Sequence, residues 1–174
     1  IVAVSEKMRI DLINLGAPTE KVVITRCAPN DRFFSLNPTL DKPHFLQIGR
    51  LIELKAPLDT IQAFALVKEK HPDAQLTICG QGQLTNDCKE MIDKLGLADR
   101  INLPGAVSPD NIAEYIENSI ALIHPSVTVG KNRTEGGCSV EILEAMGNGT
   151  LDKINIEIDE RAATTIMTVS GGYP

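Results

Sequence analysis

The sequence predicts an α/β protein with a parallel sheet and helices on both faces, and two observations carry that prediction. From Gly49 onward, short aliphatic runs alternate with helical patterns at the spacing of βαβ units. The runs that read as strands also end in turn-forming residues, namely Gly49-Arg50, Gly80-Gln81-Gly82, Gly105 and His124-Pro125-Ser126. In such a sheet, ligands bind outside the carboxyl ends of the strands. A further glycine pair, Gly136-Gly137, precedes the last helical stretch, so five chain segments are expected to converge on one rim.

The elements follow in order. Residues 1–4 read as the end of a buried strand. Ser5 caps a helix to about Leu15, with Met8, Leu12 and Leu15 on one face and Gly16 as its stop. Residues 21–25 (KVVIT) form a β-branched strand. Between Cys27 and Pro43, Pro29, Pro38 and Pro43 argue for a connection pinned to the body by Phe33-Phe34. Strands at 44–48 (HFLQI), 75–79 (QLTIC), 100–103 and 120–123 then alternate with helices at about 57–70, 86–95 and 108–118. Pro57 suits a first helical turn, where its missing N–H costs nothing, and Ile61, Phe64, Ala65 and Val67 face inward. After Gly149 the character changes. Ile154, Ile156 and Ile158 alternate with polar residues, and TTIMTVS reads as a strand, which together fit a β-hairpin.

At 174 residues the chain accommodates one domain with a sizeable core. Aromatics are only 3% with no Trp, so that core is aliphatic, and base-stacking nucleic-acid modules are disfavoured. A net charge of -6 argues further against a polyanion partner, while leaving room for a local basic pocket that holds a phosphate. Four cysteines lack a CxxC pair or zinc spacing, which implies reduced thiols and no metal centre. No apolar run reaches the roughly 18 residues that a membrane span needs. The start, IVAVSEKM, has neither Met nor a signal layout and reads as the interior of a longer chain.

The most informative stretch is TEGGCSVEILEAMGNG, residues 134–149. Its glycine pair lies before a helix start at Ser139, where free backbone N–H groups and the helix dipole favour an anion. Glu144 sits inside the apolar run, where a carboxylate needs a donor such as a ribose diol; a helix-surface glutamate is the alternative. Arg50 and Lys55 follow one strand end at a spacing of five, and two cations there can neutralise a diphosphate, or simply be surface charges on a loop. Gly80-Gln81-Gly82 is half of a dinucleotide fingerprint and reads equally as a tight turn. His124, at the end of a buried strand, reads first as structural and second as a ligand contact. Neither Ser126 nor Ser139 has the partners of a hydrolase triad.

Taken as an ordered set, these residues resemble the donor-binding half of GT-B glycosyltransferases. Gly49-Arg50-Leu51, Lys55, PDAQLTI at 72–78, Gly80-Gln81-Gly82 and Leu95-Gly96-Leu97 carry the likeness. It continues through Leu103-Pro104-Gly105, His124-Pro125-Ser126, Glu135-Gly136-Gly137 and Glu144-Ala145-Met146. The likeness is to glycosyltransferase family 4; KAP at 55–57 and HPSVT at 124–128 are similar to its bacterial exopolysaccharide members of the colanic-acid type. It implies a Rossmann-like nucleotide-sugar-binding domain over residues 1–150, followed by an unmatched tail at 151–174. It also implies retaining transfer from a nucleotide diphosphate sugar, with no cofactor and no obligatory metal. By the same resemblance, Gly49, Arg50 and Lys55 hold the diphosphate, with Gly80 and Gly82 beside it. Glu144 binds the ribose, and Glu135, Gly136, Gly137 and Cys138 meet the donor sugar and phosphate; Glu135, Arg50 and Lys55 are the catalytic set.

The implied partners are a nucleotide diphosphate sugar and an amino-terminal acceptor domain not contained in this sequence. The implied setting is cytoplasmic, peripheral to the inner membrane face through that absent half, with the present chain inactive alone. Three features depart from the family pattern: Glu135 and Glu144 stand one residue further apart, Ala56 replaces a glycine, and the tail does not match. A non-catalytic α/β module serving in assembly, or a nucleotide-sugar epimerase of the same fold, are the competing readings.

Overall fold

The computed structural model describes residues 1–25, 30–37, 42–127, 129 and 164–168. Among the described residues the main sheet has five strands: β3 (His44–Ile48), β4 (Gln75–Cys79), β5 (Ile101–Gly105), β6 (Ala121–Pro125) and β7 (Thr164–Thr168). Their order is β5-β4-β3-β6-β7. The pairs β3–β4, β4–β5 and β3–β6 are parallel, as the βαβ spacing requires. β3 is therefore central, and the strand order reverses between β3 and β6. β7 comes from the unmatched tail and pairs antiparallel with β6 along its whole length, from Ala121↔Thr168 to Pro125↔Thr164. Residues 164–168 of the expected TTIMTVS strand are thus part of this sheet, while residues 169–170 and 154–158, the other half of the expected hairpin, lie outside the described residues.

Alternation along the strands builds two cores. Leu46, Ile48, Cys79 and Leu122 point to one face and meet Ile112 and Ile116 of helix α4 (Pro109–Glu117), together with Phe33. Leu76, Ile78 and Ile101 point to the other face. There they pack on Ile61 and Phe64 of α2 (Pro57–Lys70) and on Cys88 and Ile92 of α3 (Thr85–Lys94). Phe45 and Phe64 meet edge-on, with centroids 6.4 Å apart. The two faces are covered as the sequence implies. α4 starts where Ser108 accepts from the Asn111 N–H, with Pro109 in its first turn. α2 runs over the expected residues with Pro57 at its start.

The amino-terminal segment departs from expectation. β1 (Val2–Ala3) and β2 (Val23–Ile24) form a separate two-stranded parallel sheet, and helix α1 (Glu6–Asn14) packs beside it. Ser5 caps α1 by accepting from the Met8 N–H at 3.2 Å, as expected, and Gly16 takes φ 98° after it. The expected buried strand is not buried, however: Val2 is 60% exposed and only Ala3 is covered. Likewise α1 buries no residue, and Leu15 is 86% exposed. Two strands of two residues offer too little apolar surface to cover a helix. In the following connection Phe33 is fully buried but Phe34 is exposed, so only the first of the pair pins it. A short 3-10 helix, Asp31–Ser35, places Phe33. Beside it Arg32 pairs with Asp110 and donates to the Pro109 carbonyl, which fastens this segment to the start of α4.

At the amino end of the sheet, His44 Nε2 and Thr77 Oγ1 are 2.8 Å apart. Burial holds the His44 imidazole below its ordinary 6.5, outweighing a hydrogen bond to the Asn118 backbone that favours the proton. The unfolded chain therefore binds a proton here more readily than the folded one. The contribution is intact above 6.5 and is lost as pH falls from 6.5 through the depressed folded value. The free energy of unfolding of the wild type should fall more steeply below pH 6.5 than that of H44Q in urea titrations; equal slopes would refute the assignment.

Candidate functional site

The carboxyl ends of β3, β4 and β5 open onto a cleft of about 350 Å³ lined by Gly49, Arg50, Gly80, Gln81, Val107 and Pro109, among others. That volume lies in the range of small-molecule sites. Its floor is made by two loops locked together. The Gly49 N–H donates to the Cys79 carbonyl at 2.9 Å and Leu51 N–H to the Gln81 carbonyl at 3.1 Å. Leu84 N–H returns to the Leu51 carbonyl at 2.9 Å. Gly80 lies so close to the preceding loop that a Cβ on it would sit 1.8 Å from the Gly49 carbonyl oxygen, and its φ is 150°. A Cβ on Gly82 would come within 2.3 Å of the Leu51 carbonyl oxygen. Both glycines are thus required by loop-on-loop packing. Gly80 also lines the cleft, while Gly82 supports it from behind.

Arg50 is exposed on the rim of the cleft. Lys55 is different. It ends a 3-10 turn, Glu53–Lys55, and is only 8% exposed. Its stem lies over Gly49, whose absent Cβ would touch Lys55 Cδ at 3.6 Å. Its Nζ lies 3.4 Å from Nε2 of His124, the penultimate residue of β6, which is itself buried. Its carbonyl accepts from Gln47 Nε2 at 2.9 Å. The Val127 N–H donates to the Leu54 carbonyl at 3.1 Å, tying this turn to the segment after β6. Lys55 therefore occupies the crevice between β3 and β6, where the strand order reverses and a parallel sheet presents its ligand site. Ala56 follows it in the left-handed region, φ 44° and ψ 49°, the one non-glycine residue with positive φ among those described.

Of the residues expected from sequence, Gly49, Arg50, Lys55, Gly80 and Gly82 are brought together on one edge. Glu135, Gly136, Gly137, Cys138 and Glu144 lie outside the described residues. Gln47 was not anticipated. Its only signal is a glutamine in the otherwise apolar end of HFLQI, and it is 3% exposed. Among the described residues, its Oε1 and the Ser126 hydroxyl are buried and meet no hydrogen-bond partner, an uncommon state for a polar group. Cys79 also lines the cleft, but burial pushes its thiol up to about 12, and that of Cys88 to about 11, so neither is a thiolate at neutral pH. Among the described residues no group of His, Cys, Asp or Glu is arranged to hold a metal ion, and no helix is long and apolar enough to cross a membrane.

Residues 30–151 match the family model described as glycosyl transferases group 1. The amylovoran biosynthesis glycosyltransferase AmsK of Erwinia amylovora is 29% identical over 152 residues, covering 86% of this chain and 37% of that protein. The chain therefore spans little more than a third of that relative's length. Among solved structures, WaaG, a glycosyltransferase involved in lipopolysaccharide biosynthesis, superposes with a TM-score of 0.65 at 18% identity, over 85% of this chain and 42% of its own. Anabaena Alr3699/HepE in complex with UDP and glucose gives 0.62 at 17%, over the same shares. At such identities the likeness establishes the fold, which is that of GT-B glycosyltransferases.

The loop packing and the Ala56 backbone can be tested directly. Gly80→Ala should destabilise the fold by roughly 2–4 kcal/mol, because backbone must move to admit the methyl. Ala56→Gly should change stability by less than about 1 kcal/mol, because relief of the left-handed alanine is offset by the entropy of glycine and by loss of a buried methyl. Chemical denaturation reads both; a neutral Gly80→Ala would show that the loops are not locked.

Proposed function

Starting from the fact that the chain belongs to the group 1 glycosyl transferases, we propose that it is the donor-binding part of a retaining, hexosyl-type enzyme that takes its sugar from a nucleotide diphosphate sugar. One observation carries this reading: exposed Arg50 and buried Lys55 flank Gly49 at the end of the central strand, beside the cleft at the sheet's carboxyl edge. A diphosphate carries its negative charge in a compact volume, and a forked guanidinium with a point-charge ammonium complements it without a metal. As the sugar departs, charge grows on the diphosphate oxygens. A lysine already held in a partly desolvated crevice stabilises that charge with little reorganisation. The HepE structure containing UDP and glucose, alike in fold, supports a donor of this class.

In this reading Glu144 takes the ribose hydroxyls, and Glu135, Gly136, Gly137 and Cys138 meet the sugar and phosphate. Acceptor binding, and with it transfer, belongs to the whole protein; the part described binds the donor and transfers little sugar alone. The setting is the cytoplasmic side of a membrane on which polysaccharide or glycolipid is assembled.

Calorimetric titration with UDP and GDP tests the reading. The wild type should bind one of them, and Arg50→Ala, Lys55→Met and Glu144→Ala should each weaken binding about tenfold or more, the worth of a hydrogen bond to a charged group. A folded sample that takes up no nucleotide diphosphate would overturn it, and would favour an assembly module instead.

A further inference from the structure

We propose that His124 is a positioning residue that presents the Lys55 ammonium to a phosphate, an inference that rests on the donor-binding reading above. With Lys55 as an ammonium, which has three donors and no lone pair, the contact at 3.4 Å takes Nε2 of His124 as its acceptor. An acceptor nitrogen orients the ammonium without itself contributing a negative charge against it. Both side chains are buried, so the contact is made within the crevice and is shielded from solvent.

The rest of the clamp fixes where this contact lies. Gln47 Nε2 holds the Lys55 carbonyl from within the central strand at 2.9 Å. The Val127 N–H holds the neighbouring Leu54 carbonyl at 3.1 Å. Between them the lysine stem is laid across Gly49, with Cγ, Cδ and Cε all 3.6–3.7 Å from where a Cβ would stand. A lysine on an open loop spreads its ammonium over many rotamers, and binding must collapse them. Here backbone, stem and head are each restrained from a different element before any ligand arrives, so less entropy is lost when it does. His124 comes from β6 and Lys55 from the loop after β3, so their meeting couples the two sides of the crevice.

A double-mutant cycle on UDP affinity, or GDP if the wild type takes that nucleotide instead, tests the proposal. His124→Leu should weaken binding about tenfold, the scale of a hydrogen bond to a charged group. His124→Gln, which returns an acceptor oxygen near the position of Nε2, should stay within about threefold of wild type, because the amide can replace the imidazole as acceptor. In a Lys55→Met background, His124→Leu should change nothing further, because its partner is gone. An undiminished affinity in His124→Leu, or the same loss in both backgrounds, would overturn the positioning role while the donor-binding reading stands. Absence of binding by the folded wild type would overturn that reading, and this inference with it. Thermal melts check that each variant folds; if His124→Leu does not, His124→Asn, too short to reach Nζ, takes its place under the same criteria.

Discussion

The close approach of Gly80 to Gly49 is the constraint on which the rest of the site depends. Two loops that leave adjacent parallel strands would ordinarily diverge, since each carries side chains that need room. Here the absent Cβ atoms let one backbone rest on the other, and three hydrogen bonds between residues 49–51 and 79–84 hold them there. The loop after β3 thereby acquires a fixed course. It turns back through the short helix that ends in Lys55 and delivers that residue to the other flank of β3. A flexible loop at this place could hold the same charges without aiming them, so the glycines supply precision and the cations supply attraction.

The sequence disclosed much of this architecture because its signals were local. Pro57, Ser108 and the glycines after each strand mark boundaries by backbone chemistry that tertiary contacts rarely override. Periodicity placed Ile61 and Phe64 inward for the same reason. It failed for residues 1–24, because an apolar stripe reports the capacity to be covered and says nothing about whether cover is present. Met8 and Leu15 carry the pattern of a buried face and stand in solvent. At the site, the charged residues were legible as a pair close in sequence, whereas the Lys55–His124 contact joins positions 69 residues apart. Gln47 was illegible for a related reason. A glutamine within a strand looks like an edge residue until the sheet order shows that strand to be central.

Ala56 illustrates how a family pattern and a backbone angle inform each other. The resemblance expects glycine there, and the structure shows why, since the residue joining the Lys55 turn to α2 must pass through the left-handed region. Alanine satisfies the geometry with some strain, and the methyl is buried at 5% exposure. The strain sits immediately after the lysine, at a point where Gln47 and the Thr60 N–H hold the flanking carbonyls of Lys55 and Ala56. The surrounding bonds thus over-determine the turn, which is the condition under which an unfavourable dihedral persists.

The sheet order also bears on how this protein behaves in a crowded solution. A strand at the margin of a sheet offers unpaired amides to any other strand it meets, and such margins invite aggregation. β7 lies along the full length of β6, so β6, which carries His124, is not left open on that side. The opposite margin is β5, and its sequence INLPG places Pro104 within the strand. Proline has no amide hydrogen to offer, and it falls where the register between β4 and β5 shifts, so this margin is not a regular ladder. On one side the margin is carried outward from β6 to β7, and on the other it includes a residue with no amide proton.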